Sequence, residues 1–394
     1  MAKTYIPDQT NSQYTISGYY GDYVLGVDAS MNPVNGSAIS IADGTYGNRL
    51  TINGSITAKG IHDSGNSSRI DVGATGTITS DHSGIYIAGD NSTVTNKGVI
   101  TAVYAINTSG NGYTVINSGK LDGTTDGVTT SWNGTIINKV DGVIHGDNRG
   151  IALGDHGGQN SVTNAGTISG DSRAISGSSG VDRIFNSGTL DGDVVLNSGN
   201  DIFRSKGGTV TGTVYGDGGD DRYYIDSSSI QLHEDNGGGW DKVYSSASFT
   251  VDSEFEEVFL TGKANAKIIG NDAGTFLTGN AGNNRIVGHL GGDKISGGRG
   301  NDILTGDDNK VAAGDGGPDI FIFKNHSGRD IITDFHNGED SLKLTDYKGL
   351  DDFADLKGHI KQVGDDVVVT LLDGDQITLR DTLRADINGG DFLF

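Results

Sequence analysis

The sequence predicts an all-β, rod-like fold in which a parallel β-helix continues into a parallel β-roll. Three observations predict it. A nine-residue phrase, clearest as Gly297-Gly298-Arg299-Gly300-Asn301-Asp302-Ile303-Leu304-Thr305, recurs without gaps in the second half. A longer unit of about twenty-two residues, the length of one coil of a three-sided β-helix, recurs in the first half. The composition disfavours helix: there are 65 glycines in 394 residues, and the acidic residues are almost all Asp, which suits turns rather than helices.

The nine-residue rows are Gly270–Thr278, Gly279–Val287, Gly288–Ser296 and Gly297–Thr305, then a degenerate eight, Gly306–Ala313, and a restored row, Gly314–Ile322. Position eight reads Leu277, Ile286, Ile295, Leu304 and Phe321, the expected inward residue of each short strand. Position six reads Thr275, Asn284, Asp293, Asp302 and Asp319. The pattern G-G-x-G-x-D-x-U-x, with U apolar, is that of a calcium-binding β-roll.

The metal chemistry follows from stacking. If one turn uses two rows, alternate rows share a side. Facing turns then offer backbone carbonyls and a carboxylate each, an all-oxygen cage of about six ligands suited to Ca²⁺. Counting rows pairs Asp302 with Asp319, with carbonyls from Gly297, Arg299, Asn301, Gly314, Gly316 and Pro318. Asn284 with Asp302 and Thr275 with Asp293 are weaker pairs, because one member lacks charge. A second patch, Gly216-Asp217-Gly218-Gly219-Asp220-Asp221-Arg222-Tyr223-Tyr224 after Gly199-Asn200-Asp201-Ile202-Phe203, places Asp201 and Asp221 on a shared side. A plain Gly/Asp-rich loop is the competing reading, and gapless rows with a matching apolar position argue against it.

The formal charge of −23 should destabilise a metal-free fold by self-repulsion, and it makes nucleic acid an unsuitable partner. An extracellular-type site with a dissociation constant of about 0.1 mM adds about 1.4 kcal/mol at about 1 mM Ca²⁺, so folding is expected to depend on calcium. The start is polar, with no apolar core of a Sec signal. No stretch approaches a membrane span, and there is no cysteine for a disulfide framework.

On these motifs, residues 196–394 resemble the RTX (repeats-in-toxin) family. The resemblance implies a Gram-negative bacterial protein exported unfolded by the type I secretion machinery, through an uncleaved C-terminal signal, and folded outside by Ca²⁺. The ending Asp391-Phe392-Leu393-Phe394 resembles such a tail, and Asp330–Asp340 resembles the segment that follows the roll in many members. Tyr224–Gly270 resembles a recurring insert. The family names a route and not an activity.

In the first half, Thr95-Asn96-Lys97-Gly98-Val99-Ile100, Ile116-Asn117-Ser118-Gly119-Lys120-Leu121, Thr163-Asn164-Ala165-Gly166-Thr167-Ile168 and Phe185-Asn186-Ser187-Gly188-Thr189-Leu190 align, with Asn138 in a looser copy. The aligned Asn predict an amide ladder at a coil corner, a structural device. A second apolar strand follows in each coil, at Ile61, Ile85, Ile106, Val128, Ile151 and Ile175. The expected domains are an N-terminal cap or attachment segment at 1–46, rich in Tyr, a β-helix at 47–196, a roll at 197–330 with an insert at 225–269, and a C-terminal segment at 331–394. The two halves are expected to stack.

Such a layout also occurs in polysaccharide-modifying enzymes, which need acid–base groups on a coil face. The residues after the aligned Ile/Val are His62, Tyr86, Asn107, Thr129, Ala152 and Ser176, with no carboxylate pair and no Lys or Arg. His233-Glu234 lacks the second His of a zinc protease, and there is no G-x-S-x-G elbow. Trp132 and Trp240 suit sugar stacking, though turn or core packing is the commoner use. The expectation is therefore a non-catalytic, calcium-binding structural or adhesive protein of the cell surface, self-associating and in contact with surface or matrix polysaccharide. The alternative is an extracellular polysaccharide-modifying enzyme of epimerase or lyase type.

Overall fold

The structure is a computed structural model that describes residues 2–8, 12–154, 156, 158–252, 254–307, 316–371 and 374–394. It is an all-β parallel β-solenoid. Helix is scarce among the described residues, with short turns at Phe353–Leu356, Lys357–His359 and Gly389–Asp391. The chain divides into two compact units, one of residues 1–221 and 229–235, the other of 222–228 and 236–394.

The first unit is a three-sided coil stack. Its first face runs through strands Arg69–Val72, Thr93–Asn96, Tyr113–Asn117, Gly134–Asn138, Asn160–Asn164, Asp182–Asn186 and Ile202–Ser205, all parallel and in register. The second face stacks Ile78, Ile100, Leu121, Ile144, Ile168 and Leu190. The third stacks Ile61, Ile85, Ile106, Val128, Ile151, Ile175 and Val194. These aliphatics are buried. Alternation along each strand sends one side chain to the core and the next to solvent, so each coil covers the apolar row of its neighbour.

Parallel pairing in this unit starts at Lys3–Ile6, which pairs with Asp22–Leu25, which pairs with Arg49–Ile52. Residues before 47 thus already contribute coils. Tyr5, Tyr19, Tyr20 and Tyr46 of that segment are exposed.

The Asn ladder forms at the end of the first face. Asn96 Nδ2 donates to Asn117 Oδ1, and the same bond repeats from Asn117 to Asn138, Asn138 to Asn164 and Asn164 to Asn186, each at 2.9 Å. Each amide also donates to a carbonyl of the adjacent coil, as Asn117 does to Val143 O at 3.0 Å. Below Asn96 the column turns apolar, to Val72 and Ile52.

The second unit is a flatter, two-sided roll. One side stacks Val243, Val258, Leu277, Ile295, Phe321, Leu342 and Phe392. The other stacks Phe249, Ile268, Ile286, Leu304, Ile332 and Leu379. The position-eight residues are buried core, as their spacing predicts. A short antiparallel meander, Ile360–Val363, Asp366–Thr370 and Gln376–Leu379, closes the second side.

Three expectations change. Lys242–Ser245 and Glu257–Leu260 pair in line with Arg222–Ile225 and Phe276–Thr278, so 225–269 supplies regular rungs rather than an excursion. The reason is legible in Gly239-Trp240-Asp241-Lys242-Val243, which repeats the G-x-D-x-U core of the phrase. The stretch after 330 likewise continues the roll, through Ser341–Thr345 and Phe392–Leu393.

The third change is one of register. Lys294–Ser296 pairs directly with Ile320–Lys324, and Ile303–Thr305 with Arg329–Ile332. The step between stacked position-six residues grows from 18 residues at Thr275/Asp293 to 26 at Asp293/Asp319. The eight added residues equal the length of the degenerate row, of which 308–313 lie outside the described residues, and the flanking strands pair directly with the rungs on either side. Asp319 therefore lies over Asp293, and Asp302 over Asp330.

Candidate metal centre

Each position-six residue closes a strand-entry turn at the edge of a sheet. Its backbone N–H donates to the carboxylate of the same residue one turn on. In the first unit Asp182 N–H donates to Asp201 Oδ1 and Asp201 N–H to Asp221 Oδ1, both at 2.7 Å. In the second unit one ladder runs Thr275, Asp293, Asp319, Asp340, with N–H to Oδ1 distances of 2.7, 2.8 and 3.0 Å. The other runs Asn284, Asp302, Asp330, at 2.7 and 2.9 Å.

The ladders use one oxygen of each carboxylate. The second, Oδ2 of Asp201, Asp293, Asp302 and Asp319, is buried with no hydrogen-bond partner among the described residues. A buried carboxylate oxygen without a donor is costly. Burial is also the first cause that pushes these acids up from their ordinary 3.8: Asp302 to about 7, Asp201 and Asp319 to about 8, and Asp293 to about 9. Neighbouring carboxylates add to this at Asp201, Asp293 and Asp319. Ionising such groups together is costly, and a bound cation offsets that cost.

The glycines shape the same spaces. A Cβ at Gly297 would lie 2.2 Å from Asp302 Oδ2, and one at Gly288 would lie 2.2 Å from Asp293 Oδ2. The orphaned oxygens of Asp302 and Asp293 thus point at the first glycine of their own rows, and that of Asp319 points at Gly306. A Cβ at Gly279 would lie 2.0 Å from the Gly297 carbonyl oxygen, so successive turns bring carbonyls close to these positions. Buried carboxylates beside backbone carbonyls are a hard, all-oxygen donor set, and it fits Ca²⁺. When bound, the ion supplies positive charge to rows that otherwise repel.

The predicted ligands distribute as follows. Asp201 and Asp221 share a ladder, as their spacing implied. Asn284, Asp293, Asp302 and Asp319 all occupy rungs, but Asp302 pairs with Asp330 and not with Asp319. Asn301 keeps its turn by its side chain, whose Oδ1 accepts from Arg329 N–H at 2.9 Å, while its own N–H donates to Asn283 Oδ1 at 2.9 Å. Arg299 N–H donates to Asn280 O at 2.9 Å. The Gly316 carbonyl accepts from Gly291 N–H, and the Pro318 carbonyl faces Gly292. Gly314 lies outside the described residues.

The position-eight and position-six readings missed Asp182, Asp330, Asp340 and Glu234. The first three sit in Gly180-Val181-Asp182-Arg183-Ile184, Gly328-Arg329-Asp330-Ile331-Ile332 and Gly338-Glu339-Asp340-Ser341-Leu342. The shorter signal G-x-D-x-U, without the leading Gly-Gly, finds them. Glu234 is buried in the first unit with a carboxylate oxygen within 4.8 Å of one of Asp221, a pair able to share a cation. No spacing in the sequence announces it.

No protein-family model matches the chain. Two curated relatives from Rhizobium meliloti are similar. The endo-1,3-1,4-β-glycanase EglC is 36% identical over 180 residues, 46% of this chain and 34% of that protein. The endo-1,3-1,4-β-glycanase ExsH is 33% identical over 184 residues, 47% and 35% of the two chains. The chain is a β-solenoid distantly related to these glycanases. It spans about a third of the length of the curated relatives it matches. Among solved structures, the extracellular lipase LipA from Serratia marcescens is similar at 16% identity and a TM-score of 0.26, over 60% of this chain and 45% of that one. Among the described residues no helix is long and apolar enough to cross a membrane.

Proposed function

We propose that this is a secreted, calcium-binding structural or adhesive protein of a Gram-negative bacterial surface, in a surface layer, a biofilm matrix or an adhesin. It folds on external Ca²⁺ and then associates with further copies. The observation that carries this reading is the stack of buried carboxylates whose second oxygens lack partners. In a cytosol poor in Ca²⁺ the rows repel, and the chain stays extended for type I export. Outside, neutralisation lets them close. Export machinery, other copies and surface polysaccharide are its partners in this reading.

A second reading is an extracellular polysaccharide-modifying enzyme, favoured by the similarity to the two endo-1,3-1,4-β-glycanases. Glycoside hydrolysis needs a pair of carboxyl groups across the scissile bond. The stacked Asp201, Asp293, Asp302 and Asp319 are buried in turns, so they serve cation binding better than sugar cleavage.

Light scattering and negative-stain images of purified protein, in chelator and then in a few millimolar Ca²⁺, test the proposal. Growth into filaments, sheets or large particles is expected. Compaction into a stable monomer would remove the assembly role, and reproducible turnover of mixed-linkage β-glucan, alginate or pectin would remove the non-catalytic one.

A further inference from the structure

We propose that a groove on the third face of the first unit binds a neutral saccharide. It deepens the adhesive reading above and rests on it for its setting. The groove encloses about 600 Å³, within the range of small-ligand sites, and is lined by Ser37, Lys59, His62, His82, Tyr86 and Asn107 with nearby backbone.

Coil stacking makes this site. Ser40, His62, Tyr86, Asn107 and Thr129 are register partners on successive coils, so one outward column carries five polar side chains in a row. Coils are about 4.8 Å apart, so the column presents hydrogen-bonding groups at regular steps along the direction an extended sugar chain would follow. Farther along, the column shrinks to Ala152 and Ser176. The rings are confined to the coils of His62 and Tyr86, where the groove opens.

The rings are held rather than loose. His62 and Tyr86 meet edge to face, with centroids 4.9 Å apart. Tyr86 Oη lies 2.7 Å from Ser109 Oγ, and His62 Nε2 lies 3.0 Å from Ser64 Oγ. On the rim, His82 packs edge to face on Tyr104. Fixed amphipathic rings with hydroxyls and an amide beside them suit a ligand with apolar faces and hydroxyl edges.

Charge selects within the sugars. The groove's one ammonium, Lys59 Nζ, is 2.7 Å from Asp81 Oδ2 and is thereby paired. No lining side chain among the described residues is a carboxylate. Asp63, next to His62, turns its carboxylate into the core, where it accepts from Gly65 N–H and Ser68 Oγ. The groove thus offers an acidic sugar no unpaired ammonium or guanidinium, and it offers hydrolysis no carboxyl pair. Binding of an uncharged glycan is what remains.

The test is calorimetric titration of the full chain in Ca²⁺ with cellotetraose, laminaritetraose and maltotetraose, and with trigalacturonate as the acidic probe. At least one neutral tetrasaccharide should bind. Tyr86→Ala and the exposed His82→Ala should each weaken it by about tenfold or more, the loss of one good polar or ring contact. Thr163→Ala, exposed on the first face and away from the groove, should bind as wild type. Absence of heat with every neutral probe, preference for trigalacturonate, or wild-type affinity in His82→Ala would overturn the proposal. Binding is read in the same buffer whether or not particles grow. Assembly without binding therefore removes only the groove, and binding without assembly removes only the structural role.

Discussion

At the scale of single residues, the decisive atoms are the second oxygens of the position-six carboxylates. Register makes pairs of them: Asp302 is coupled to Asp330 through one hydrogen bond, and Asp293 to Asp319. Calcium midpoints for folding should therefore show non-additive effects in the Asp302→Ala/Asp330→Ala double variant, and near-additive effects in Asp302→Ala/Asp319→Ala. Asp302→Ala should also raise the midpoint more than Asn284→Ala, because the latter removes no charge. Equal midpoints would mean that charge at the rung does not set the calcium response. The same acids predict an inverted pH dependence. Their folded values, about 7 to 9, lie above the ordinary 3.8. The folded, metal-free state thus holds more protons than the unfolded chain between pH ~4 and ~9, and stability must fall as pH rises through that window. Urea unfolding in chelator should have a lower midpoint at pH 8 than at pH 5.5. Excess Ca²⁺ should flatten or reverse the trend, since binding requires the ionised form.

At the scale of elements, each rung is too short to stand alone and is fixed by its neighbours. The Asn ladder shows how closely they are tied. Asn138→Ala would leave Asn117 Nδ2 and Asn164 Oδ1 without their 2.9 Å partners, in a buried corner. A loss of about 1–3 kcal/mol is expected, read as a fall in the thermal midpoint with unchanged far-UV signal. Gly297→Ala should act more severely on calcium-induced folding, because its Cβ would sit on Asp302 Oδ2. The rungs themselves were readable, because position eight and the Asn column recur in plain view. Pairing across 306–319 was not. Eight residues can make a rung or an insertion, and only the strand that Ile320–Lys324 joins distinguishes them. Counting them as a rung shifts Asp319 to the wrong side of the roll.

At the scale of the whole molecule, each unit has its own source of stability. Coils of the first unit before Asp182 rest on aliphatic stacks and the Asn ladder, and stacked carboxylates begin only at Asp182. The second unit carries such rows on both sides of its roll. Chelation should therefore act unevenly. Hydrogen exchange in excess chelator should leave Val99–Thr108 and Lys120–Thr130 protected, while Phe276–Thr278, Arg285–Val287 and Ile303–Thr305 lose protection. Uniform loss across all five strands would mean that calcium supports the entire solenoid.

The sequence by itself determined the solenoid, its repeat lengths, the inward apolar positions, the Asn ladder and the carboxylates of the rows that carry the full nine-residue phrase. These are properties of single coils repeated, and repetition is visible in one dimension. Only the tertiary structure decided which carboxylates face each other beyond the degenerate row, that Glu234 lies beside Asp221, and that His62, His82, Tyr86 and Asn107 line one groove. Those are relations between coils, set by which backbone groups pair across a gap of twenty or more residues.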